Sequence, residues 1–575
     1  MKNREIADLF TQMADLMEIL GQDSFRVNSY RKAARIVGEL ARPIEDLAAA
    51  GELTTLPGIG KSTAQKIEAY LKTGSLTQLE ELKAQAPEGL LDLLRLSGLG
   101  PKTAMRLWKE AGITSLQDLQ QAFEKQDERL ALVHGLGPKK MRQLWESLMF
   151  IQSAGSRVRL GDADAVMADL VASVAAANDG GRVVPAGSFR RGRETVGDLD
   201  LLAEADAQRA EQVVHAFTAA SNVRKVIAAG PTKASVQLAG GLQVDLRVVP
   251  ADSFGSALAY FTGSKSHNVR LREIALKKGL KLNEYGLFEG ERRLAGRDEE
   301  SIYEVLGLPF IEPELREDAG EIEAARAGAL PRLVRLDDIR ADFHMHTVAS
   351  DGACTIDEMI QACRKRGYRC MAICDHSASE VQANGLKADR LLQHVRDIRQ
   401  AAKACKDITV LAGSEVDILK DGSLDYDDSV LAELDFVVAS CHSHLSMAAP
   451  EATPRIIRAI EHRYVNCIGH PSARLINARA GMEIDIARIA QAAAANDVAL
   501  EINAHYMRLD LRDTHVRAAV QAGARIVINS DAHNTEELSV MRFGVTTARR
   551  GWATPDDVIN TWPVKKIRQF LARKR

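Results

Sequence analysis

Apolar and polar residues alternate along a segment near position 245, a period of two that is typical of a strand with one buried face. The apolar positions of this segment are Leu242, Val244, Leu246 and Val248. Asp245 lies within it. Asp198 and Asp200 stand two positions apart in another strand-like segment, and side chains at this spacing point to one face. The pattern predicts two neighbouring strands that together carry three carboxylates.

A short turn precedes the paired aspartates. Gly187 and Ser188 open this turn, and its backbone N–H and hydroxyl groups are suited to hold a triphosphate. Arg190 and Arg191 follow and offer charge-assisted hydrogen bonds to phosphate oxygens. Reactions of nucleoside triphosphates use two divalent ions between carboxylates, and Mg²⁺ or Mn²⁺ suits such oxygen ligands. An Asp-x-Asp pair alone is common on solvated strand edges, so the turn and the third carboxylate are what favour nucleotide chemistry.

Upstream, the pattern apolar-x-Gly-apolar-Gly occurs three times at roughly 40-residue spacing, and a helical period follows each copy. The glycine pairs are Gly58 and Gly60, Gly98 and Gly100, and Gly135 and Gly137. Two glycines permit a tight hairpin and let N–H groups at a helix N-terminus approach a phosphate without an intervening Cβ. A single copy would favour an ordinary corner with a glycine C-cap. Three copies ahead of a nucleotide-binding pattern make that view less favoured, and they resemble helix-hairpin-helix modules, which are expected to contact DNA phosphates whatever the base sequence.

Histidines and carboxylates follow short apolar runs in the last third of the chain. Eleven of the 14 histidines fall between His344 and His533. Strand-like runs such as 370–374 and 526–528 alternate there with helical patterns, which predicts a parallel α/β barrel with its site at one face. One histidine at a strand end is usually structural, but nine candidate ligands at seven strand ends indicate several Mn²⁺ or Zn²⁺ ions. These candidates are His344, His346, Asp351, His376, Glu415, His442, His470, Asp531 and His533.

The order of turn, paired aspartates and later aspartate resembles the nucleotidyltransferase superfamily. Tyr260-Phe261-Thr262-Gly263-Ser264, followed by Asn283-Glu284-Tyr285-Gly286-Leu287, resembles the nucleotide-selecting thumb of family X DNA polymerases. The resemblance implies catalytic metal ligands at Asp198, Asp200 and Asp245, and nucleotide contacts at Gly187, Ser188, Arg191, Tyr260, Phe261, Gly263, Asn268 and Arg272. It further implies that the Tyr260-Phe261 pair excludes a 2′-hydroxyl, and that Asn268 and Arg272 face the minor groove. Lys265 replaces an acidic residue of the vertebrate repair enzyme, so nucleotide affinity and metal preference are expected to differ.

The first helical module resembles the small amino-terminal domain of DNA polymerase beta. In that domain a lysine forms a Schiff base with an abasic sugar and expels the 5′ phosphate, and the matching residue is Lys66. Such a nucleophile needs burial or neighbouring cations, which Arg26, Arg31, Lys32 and Arg35 could supply. The alternative is a solvated phosphate contact. Ser62 stands where the family has a second lysine, which disfavours an efficient lyase.

The histidine-rich segment resembles the PHP domain, the polymerase and histidinol phosphatase family, which is a distorted (β/α)7 barrel with three metal ions. The resemblance implies one ion held by His344, His346, Glu415 and Asp531, a second held by Glu415, His442 and His470, and a third held by Asp351, His376 and His533. Asp375 and His444 would support the ligands rather than bind. In bacterial family X polymerases of this architecture, the resemblance implies a manganese-dependent 3′–5′ exonuclease, sometimes with cleavage at abasic sites.

Composition changes this picture little. The formal net charge of −3 gives no global positive field, so DNA binding is expected from local basic clusters. Seven cysteines without paired spacing are typical of proteins in a reducing cytoplasm. Binding to DNA would place the protein at the nucleoid. No apolar run is long enough for a membrane span, and no signal peptide precedes the first amphipathic helix. We expect a cytoplasmic monomer whose partners are gapped or primer-template DNA and deoxynucleoside triphosphates.

The predicted fold class is multidomain α+β and α/β, with helical domains, a nucleotidyltransferase palm and thumb, and a (β/α)7 barrel. The expected boundaries are 1–80 and 81–155 for the helical domains, 156–250 for the palm, 251–312 for the thumb, 313–338 for a linker and 339–575 for the barrel. The expected function is short-gap filling in base excision repair together with 3′-end trimming. The alternative is a phosphoesterase on a non-catalytic DNA-binding scaffold, which would have no use for 260–264 or an intact aspartate triad.

Overall fold

The amino-terminal helical domain packs around one face of its first helix. The computed structural model describes residues 2–38, 40, 42–56, 58–94, 96, 98–125, 127–154 and 157–572. The helices of this domain are α1 Lys2–Ile19, α2 Ser24–Gly38, α3 Ile44–Ala49, α4 Lys61–Thr73 and α5 Thr77–Gln85. Ile6, Phe10, Met13 and Met17 are fully buried, and their spacing of three and four places them on one side of α1. This stripe forms the centre of the domain core.

The second helical domain contains two further hairpins. Its helices are α6 Leu90–Leu93, α7 Pro101–Ala111, α8 Leu116–Glu124, α9 Arg129–Leu132 and α10 Pro138–Ala154. Helices α4, α7 and α10 each begin immediately after the second glycine of a repeat. The first glycines, Gly58, Gly98 and Gly135, have φ of 102°, 82° and 83°, a left-handed conformation that other residues rarely adopt. All three repeats therefore form the predicted turn before a helix.

The palm is a mixed five-stranded sheet with helices packed against it. Its elements are β1 Val158–Arg159, α11 Leu160–Ala177, β2 Val183–Pro185, α12 Gly187–Arg190, β3 Thr195–Val196, β4 Asp198–Glu204, α13 Ala207–Thr218, β5 Val223–Gly230, β6 Lys233–Leu238 and β7 Gln243–Val249. The strand order is β2-β4-β7-β6-β5, and β4 and β7 are parallel neighbours. The apolar side chains of β4 and β7 are buried with those of α11 and α13, so the opposite face carries the polar positions.

The thumb follows the palm and extends further than the sequence predicted. Its elements are α14 Phe254–Thr262, α15 Lys265–Lys277, β8 Lys281–Asn283, β9 Gly286–Glu289, β10 Arg292–Ala295, α16 Glu299–Leu306 and α17 Glu321–Arg326. Helix α17 is the short helix expected within 313–338. That segment is not a free linker, however, because Leu315, Ile322, Ala325 and Leu333 are buried in the thumb core. This segment was predicted to be a linker because it is charged and rich in alanine, and these apolar positions were overlooked.

The barrel consists of seven parallel strands in chain order, with helices outside. The strands are β11 Ala341–Asp342, β12 Cys370–Ile373, β13 Thr409–Asp417, β14 Phe436–Ser440, β15 Cys467–Ile468, β16 Ala499–Asn503 and β17 Arg525–Asn529. The helices are α18 Ile356–Lys365, α19 Ala388–Lys403, α20 Asp428–Leu431, α21 Ala449–Glu461, α22 Ile486–Ala495, α23 Asp513–Gln521, α24 Met541–Arg550 and α25 Val564–Leu571. The described chain also contains short 3₁₀ helices, in the barrel and outside it: Leu53–Thr55, Ala251–Ser253, Pro313–Leu315, Leu336–Asp338, Val381–Ala383, Glu537–Val540 and Ile559–Thr561.

The last and first strands of the barrel meet just beyond their ends. Met345 forms a parallel bridge with Ala532, and the Phe343 N–H donates to Oδ1 of Asn529 at 3.0 Å. Small and sulfur-containing side chains fill the interior with two phenylalanines, Phe343 and Phe436, whose ring centroids are 5.2 Å apart. The nearly closed sheet matches the predicted (β/α)7 architecture. Within the described residues, no helix combines the length and the apolar character needed to cross a membrane.

Palm, thumb and barrel contact each other through helix α24. The Arg550 guanidinium donates to the carbonyl of Arg191 at 2.7 Å and lies 3.1 Å from a carboxylate oxygen of Glu317. A Cβ at Gly192 would overlap the side chain of Thr546, so the palm turn lies directly against α24. Arg549 adds an ion pair with Glu314 at 2.6 Å. The sequence did not predict this arrangement, because its contacts join residues hundreds of positions apart.

We expect Arg550→Met to weaken the junction of palm, thumb and barrel. Arg550 is almost fully buried and also pairs with Asp513 at 2.8 Å. Its removal takes this donor from Asp513 and from the Arg191 carbonyl, and leaves Glu317 with its arginine partners in the palm turn. The free energy of unfolding should fall by about 2–3 kcal/mol, and the midpoint temperature of the first unfolding transition measured by calorimetry should fall with it. Arg525→Met, at an exposed barrel position, serves as the control and should leave that transition within a degree or so. Equal shifts in both variants would contradict the assigned role of Arg550.

Candidate active sites

The palm brings the three predicted carboxylates to one edge of its sheet. In the parallel pair of β4 and β7, Asp200 lies opposite Asp245, and Asp198 lies opposite Gln243. Asp245 accepts hydrogen bonds from the Ser235 hydroxyl and from Gln243 Nε2, the latter at 3.0 Å. Both donors are uncharged, and they orient Asp245.

The Gly187 turn closes one side of this carboxylate cluster. Gly187 has φ of 64°, and a Cβ there would overlap Oδ2 of Asp200. The Ala186 N–H donates to the Asp200 carbonyl at 2.8 Å, which fixes the turn to the strand. Burial, with the nearby Asp198 and Asp245, raises the pKa of Asp200 to about 6. The cluster is therefore short of positive charge, and oxygen-binding divalent ions fit it.

The two arginines of the turn contact the thumb. Arg190 forms an ion pair with Glu299 at 2.6 Å and donates to Thr262 Oγ1 at 2.8 Å. Arg191 lies 3.0 Å from Glu317 and donates to the Thr262 carbonyl at 2.7 Å. Both guanidiniums thus join the palm turn to the end of α14, a role that the sequence did not suggest. To bind phosphate, Arg191 would have to exchange these partners, so phosphate binding by Arg191 stays a prediction. Phosphate binding by the half-buried Ser188 also stays a prediction.

The aromatic pair lies at the carboxyl end of α14. Tyr260 is 36 % exposed, and its ring meets that of Phe261 edge-on with centroids 5.2 Å apart. Asn268 Nδ2 donates to the carbonyls of Tyr260 and Gly263, at 2.6 and 3.1 Å. Asn268 therefore holds the turn that presents the rings. The exposed Arg272 donates to the Asn268 carbonyl at 3.3 Å, and contacts of these residues with a nucleotide or a base pair stay predictions.

A buried polar cluster beneath the aromatic turn was missed by sequence reasoning. Arg316 is fully buried, pairs with Glu299, and lies beside the rings of Tyr303 and Phe310, 5.3 and 5.1 Å from their centres. The fully buried His267 contacts Glu321 at 2.6 Å. These residues lie far apart in sequence, so no local pattern could have indicated the cluster.

Lys66 lies on α4 beside the position where the family pattern has a second lysine. Its Nζ donates to Ser62 Oγ at 2.8 Å and lies 5.8 Å from the centre of the Tyr30 ring. Of the neighbouring cations, Arg31 pairs with Asp15 and Glu18, so part of the expected positive field is neutralised. The structure thus orients Lys66 through Ser62 but does not bury it.

In the barrel, Glu415 lies at the centre of the predicted ligands. It stands near the carboxyl end of β13, and five imidazoles surround its two oxygens. The nitrogen-to-oxygen distances are 2.9 Å for His376, 2.9 Å for His470, 3.3 Å for His442, 3.4 Å for His344 and 3.7 Å for His346. A single carboxylate within reach of so many imidazoles is suited to bridge metal ions.

Two further carboxylates complete the ligand cluster. Asp531 lies 3.0 Å from His346, and Asp351 lies 3.3 Å from His533 and 3.6 Å from His376. All nine predicted ligands are therefore brought together. Their grouping is less separated than the resemblance implied, since His346 faces both Asp531 and Asp351, and His376 faces both Asp351 and Glu415.

Unpaired polar atoms in this cluster fit metal ions. Both carboxylate oxygens of Glu415 are buried and lack a hydrogen-bond partner within the described protein, although imidazoles lie close by. The same holds for ring nitrogens of His344, His346, His376 and His470. Buried acceptors without donors are costly unless another group satisfies them. Imidazole nitrogens with carboxylate oxygens are the ligands that Mn²⁺ and Zn²⁺ bind.

The charges of the cluster favour the ionised carboxylates. Burial raises the pKa of Glu415, but His442, His344 and His376 outweigh burial and leave it well below its ordinary value. Burial lowers the pKa of His442, but Glu415 and Asp417 outweigh burial and raise it to about 10. Divalent ions would take over the role of the imidazolium protons.

Residues that support the ligands were only partly predicted. Glu501 lies 2.8 Å from Nδ1 of His344 and leaves the other ring nitrogen to face the cluster. Asp417 does the same for His442 at 2.7 Å, and Asn503 donates to Asp531 at 2.8 Å. Asp375, expected as a support, accepts from Thr347, Ser350 and His394, whereas His444 is exposed and outside the ligand groups. Asn503 ends strand β16 and Glu501 lies two residues before it, on the same face, a strand-end pattern that could have revealed them.

A cavity of about 380 Å³ opens over the cluster. Arg479 and Arg508 line it together with the ligands, and Arg508 Nε lies 3.8 Å from Asp531. Neither arginine was singled out from the sequence. An anionic group entering the cavity would meet both guanidiniums beside the ligand cluster.

Two sites whose side chains suit divalent ions thus occur in one chain, and each has arginines nearby. Together with three hairpin modules, they define an enzyme of phosphoryl-transfer chemistry with separate centres in palm and barrel.

Comparison with known proteins identifies the family. Family models match at 1–76 (helix-hairpin-helix domain), 90–149 (SAM-like helix-hairpin-helix tandem), 257–317 (DNA polymerase beta thumb) and 342–505 (PHP domain). The DNA polymerase/3′-5′ exonuclease PolX of Bacillus subtilis (strain 168) is 38 % identical over 582 residues, which is 100 % of both chains. The chain belongs to the family X DNA polymerases that carry a carboxy-terminal PHP domain.

More distant relatives cover only part of the chain. DNA polymerase lambda of Arabidopsis thaliana is 27 % identical over 348 residues, 55 % of this chain and 62 % of its own. DNA polymerase lambda of Rattus norvegicus is 27 % identical over 345 residues, 55 % of this chain and 56 % of its own.

Proposed function

We propose that the chain is a DNA polymerase that fills short gaps during DNA repair, and that its barrel is a manganese-dependent 3′–5′ exonuclease. The observation that carries the first activity is the register of β4 and β7, which sets Asp200 opposite Asp245 beside the Gly187 turn. A non-catalytic DNA-binding scaffold would not require this register. The register of β4 and β7 is therefore the reason to prefer a polymerase over a phosphoesterase on a non-catalytic scaffold.

In the palm, Asp198, Asp200 and Asp245 would hold Mg²⁺ or Mn²⁺, which supplies charge for the phosphoryl oxygens of a deoxynucleoside triphosphate. The Gly187 turn lies against Asp200, and its backbone N–H groups would receive the phosphates. Tyr260 and Phe261 would lie against the sugar and exclude a 2′-hydroxyl. Asn268 holds the turn that presents these two rings. Ser188, Arg191 and Arg272 are proposed as further contacts.

In the barrel, the nine ligands would hold up to three ions, Mn²⁺ or Zn²⁺, which polarise a phosphodiester and supply a nucleophile near neutral pH. Glu415 lies among the imidazoles and would be a ligand shared by these ions, while Glu501 and Asp417 fix the ring orientations of His344 and His442. Arg508, beside Asp531, would stabilise the charge of the phosphate under attack. Cleavage at abasic sites uses the same groups and is a proposed second activity.

Extension and degradation of one labelled primer test both activities. On a duplex with a one-nucleotide gap, we expect extension in Mg²⁺ with deoxynucleotides, and shortening from the 3′ end in Mn²⁺ without them. The hairpin modules, through the backbone N–H groups near Gly58, Gly60, Gly98, Gly100, Gly135 and Gly137, would hold the duplex. Degradation without extension under any metal would favour the phosphoesterase alternative.

Lys66 is proposed as the nucleophile of a 5′-deoxyribose phosphate lyase. We expect borohydride to trap the protein on DNA with that end, and Lys66→Ala to lose the adduct, because Ser62 orients the Lys66 amine. Lys72→Ala, at an exposed position on the same helix, is the matched control. An undiminished adduct in Lys66→Ala would assign the chemistry to another amine, and no adduct in the parent protein would leave Lys66 a phosphate contact.

A further inference from the structure

A second cavity, of about 260 Å³, lies where the palm meets the barrel. Its lining includes Arg157, Glu194 and Thr195 of the palm and Arg474, Arg479 and Arg512 of the barrel; we call it the junction groove. The two sides are joined by hydrogen bonds such as that from Asn477 Nδ2 to the Arg157 carbonyl, at 2.7 Å. Four guanidiniums face one carboxylate, in a chain whose formal net charge is −3.

Only part of this positive charge is neutralised. Glu194 pairs with the buried Arg474 at 2.7 Å and is 4.0 Å from Arg512. Arg157 donates to the side chain and carbonyl of Thr195, and Arg479 to the Ala473 carbonyl. Among the described residues, neither Arg157 nor Arg479 has a carboxylate at ion-pair distance. Since a guanidinium has five N–H donors, the groove retains donors and charge for an anionic ligand.

The junction groove adjoins the metal-ligand cavity. Arg479 lines both cavities, so an anion that extends from the Glu415 cluster into the groove would pass this guanidinium. The lining has guanidiniums and no exposed aromatic ring, which suits phosphates better than bases. A ligand that carries charges at regular intervals fits this extended arrangement better than a single phosphate does.

We propose that the junction groove binds the sugar–phosphate backbone of the single DNA strand whose 3′ end lies in the barrel cavity. The inference rests on the proposed exonuclease. Arg157 and Arg512 contact phosphates a few nucleotides from the cleaved bond, and Arg479 contacts the one between them and the metal cluster. The contacts carry no base preference. They keep the strand engaged between successive cleavages.

The double variant Arg157→Ala/Arg512→Ala tests the groove, because Arg157 is exposed and 46 % of the Arg512 side chain is exposed. The substrates are a single-stranded 20-mer and the small ester bis(p-nitrophenyl) phosphate, both in Mn²⁺. We expect the KM for the 20-mer to rise roughly tenfold and hydrolysis of the small ester to stay within about twofold. Loss of two phosphate contacts should also reduce the slope of log KM against log salt by about 1.4.

Two further variants control for position and charge. Arg399→Ala/Arg525→Ala removes two exposed guanidiniums of the barrel outside the groove and should leave the KM and the salt slope unchanged. Arg157→Lys/Arg512→Lys keeps the charge and should recover most of the salt slope.

The outcomes separate the inference from the proposed function. A parent protein that degrades the 20-mer, with a double variant whose KM and salt slope equal those of the parent, overturns the groove. Equal losses on the 20-mer and the small ester also overturn it, since they indicate a disturbed barrel. A parent protein that hydrolyses the ester but not the 20-mer contradicts the exonuclease, and the groove fails with it.

Discussion

Replacing Asp198 and Asp200 with alanine should abolish primer extension and leave 3′-end degradation nearly intact. Asp200 lies against the Gly187 turn and opposite Asp245. Burial, with Asp198 and Asp245, raises the pKa of Asp200 to about 6, which indicates a crowded group of negative charges that divalent cations would stabilise. Without two of the three ligands, the metals that neutralise the phosphoryl oxygens are lost, and extension should fall at least about a thousandfold.

Primer extension in Mg²⁺ and degradation in Mn²⁺, measured with one labelled duplex, check this result. Glu211→Ala removes an exposed carboxylate from helix α13 of the palm and should extend primers like the parent protein. Binding of the duplex should also stay close to that of the parent, because the hairpin modules lie in other domains. Extension by the double aspartate variant would overturn the assignment of the palm.

Local patterns predicted the parts of this protein that depend on neighbours in sequence. The three glycine pairs predicted their hairpins because positive φ at Gly58, Gly98 and Gly135 is a local requirement. Likewise, the nine residues predicted as barrel ligands lie together because parallel strands bring their carboxyl ends to one face. The polymerase-like fold and the PHP barrel followed from motifs of this kind.

Contacts between distant segments were not predictable in this way. Arg191 was expected to be available for phosphate, but its partner Glu317 lies 126 positions further along the chain. Leu315 and Ile322 belong to the thumb core although their segment resembles a linker in composition. Glu501 supports His344 across 157 positions. Each of these depends on how whole domains pack, and periodicity within one segment carries no information about it.

The same packing places the two proposed centres on one continuous body. Residues 187–192 lie against Asp200 at one end, and at the other end Gly192 lies against Thr546 of barrel helix α24. Arg550 of that helix bonds to the Arg191 carbonyl and to Glu317, which itself pairs with the Arg191 side chain. The barrel therefore supports the palm turn directly. Deletion of the barrel is expected to disturb the palm turn. Point variants are therefore the better means to separate the two activities.

Glu415→Ala should eliminate 3′-end degradation in Mn²⁺ and leave gap filling in place. Both oxygens of Glu415 face imidazoles at 2.9–3.7 Å and have no hydrogen-bond donor within the described protein. Its loss removes the only carboxylate at the centre of five imidazoles in this cluster, so adjacent cations would no longer share an anionic ligand. We expect a loss of at least about a hundredfold in degradation and fewer bound ions by elemental analysis.

His344→Ala should have the same direction of effect, because His344 is fully buried and Glu501 holds its ring toward Glu415. His462→Ala is the matched control, since this histidine lies in the same barrel, pairs with Asp428 and is outside the cluster. The control should retain both bound metal and nuclease activity. Degradation that survives in Glu415→Ala but disappears in Asp198→Ala/Asp200→Ala would place the nuclease in the palm, and the histidine cluster would then need another substrate.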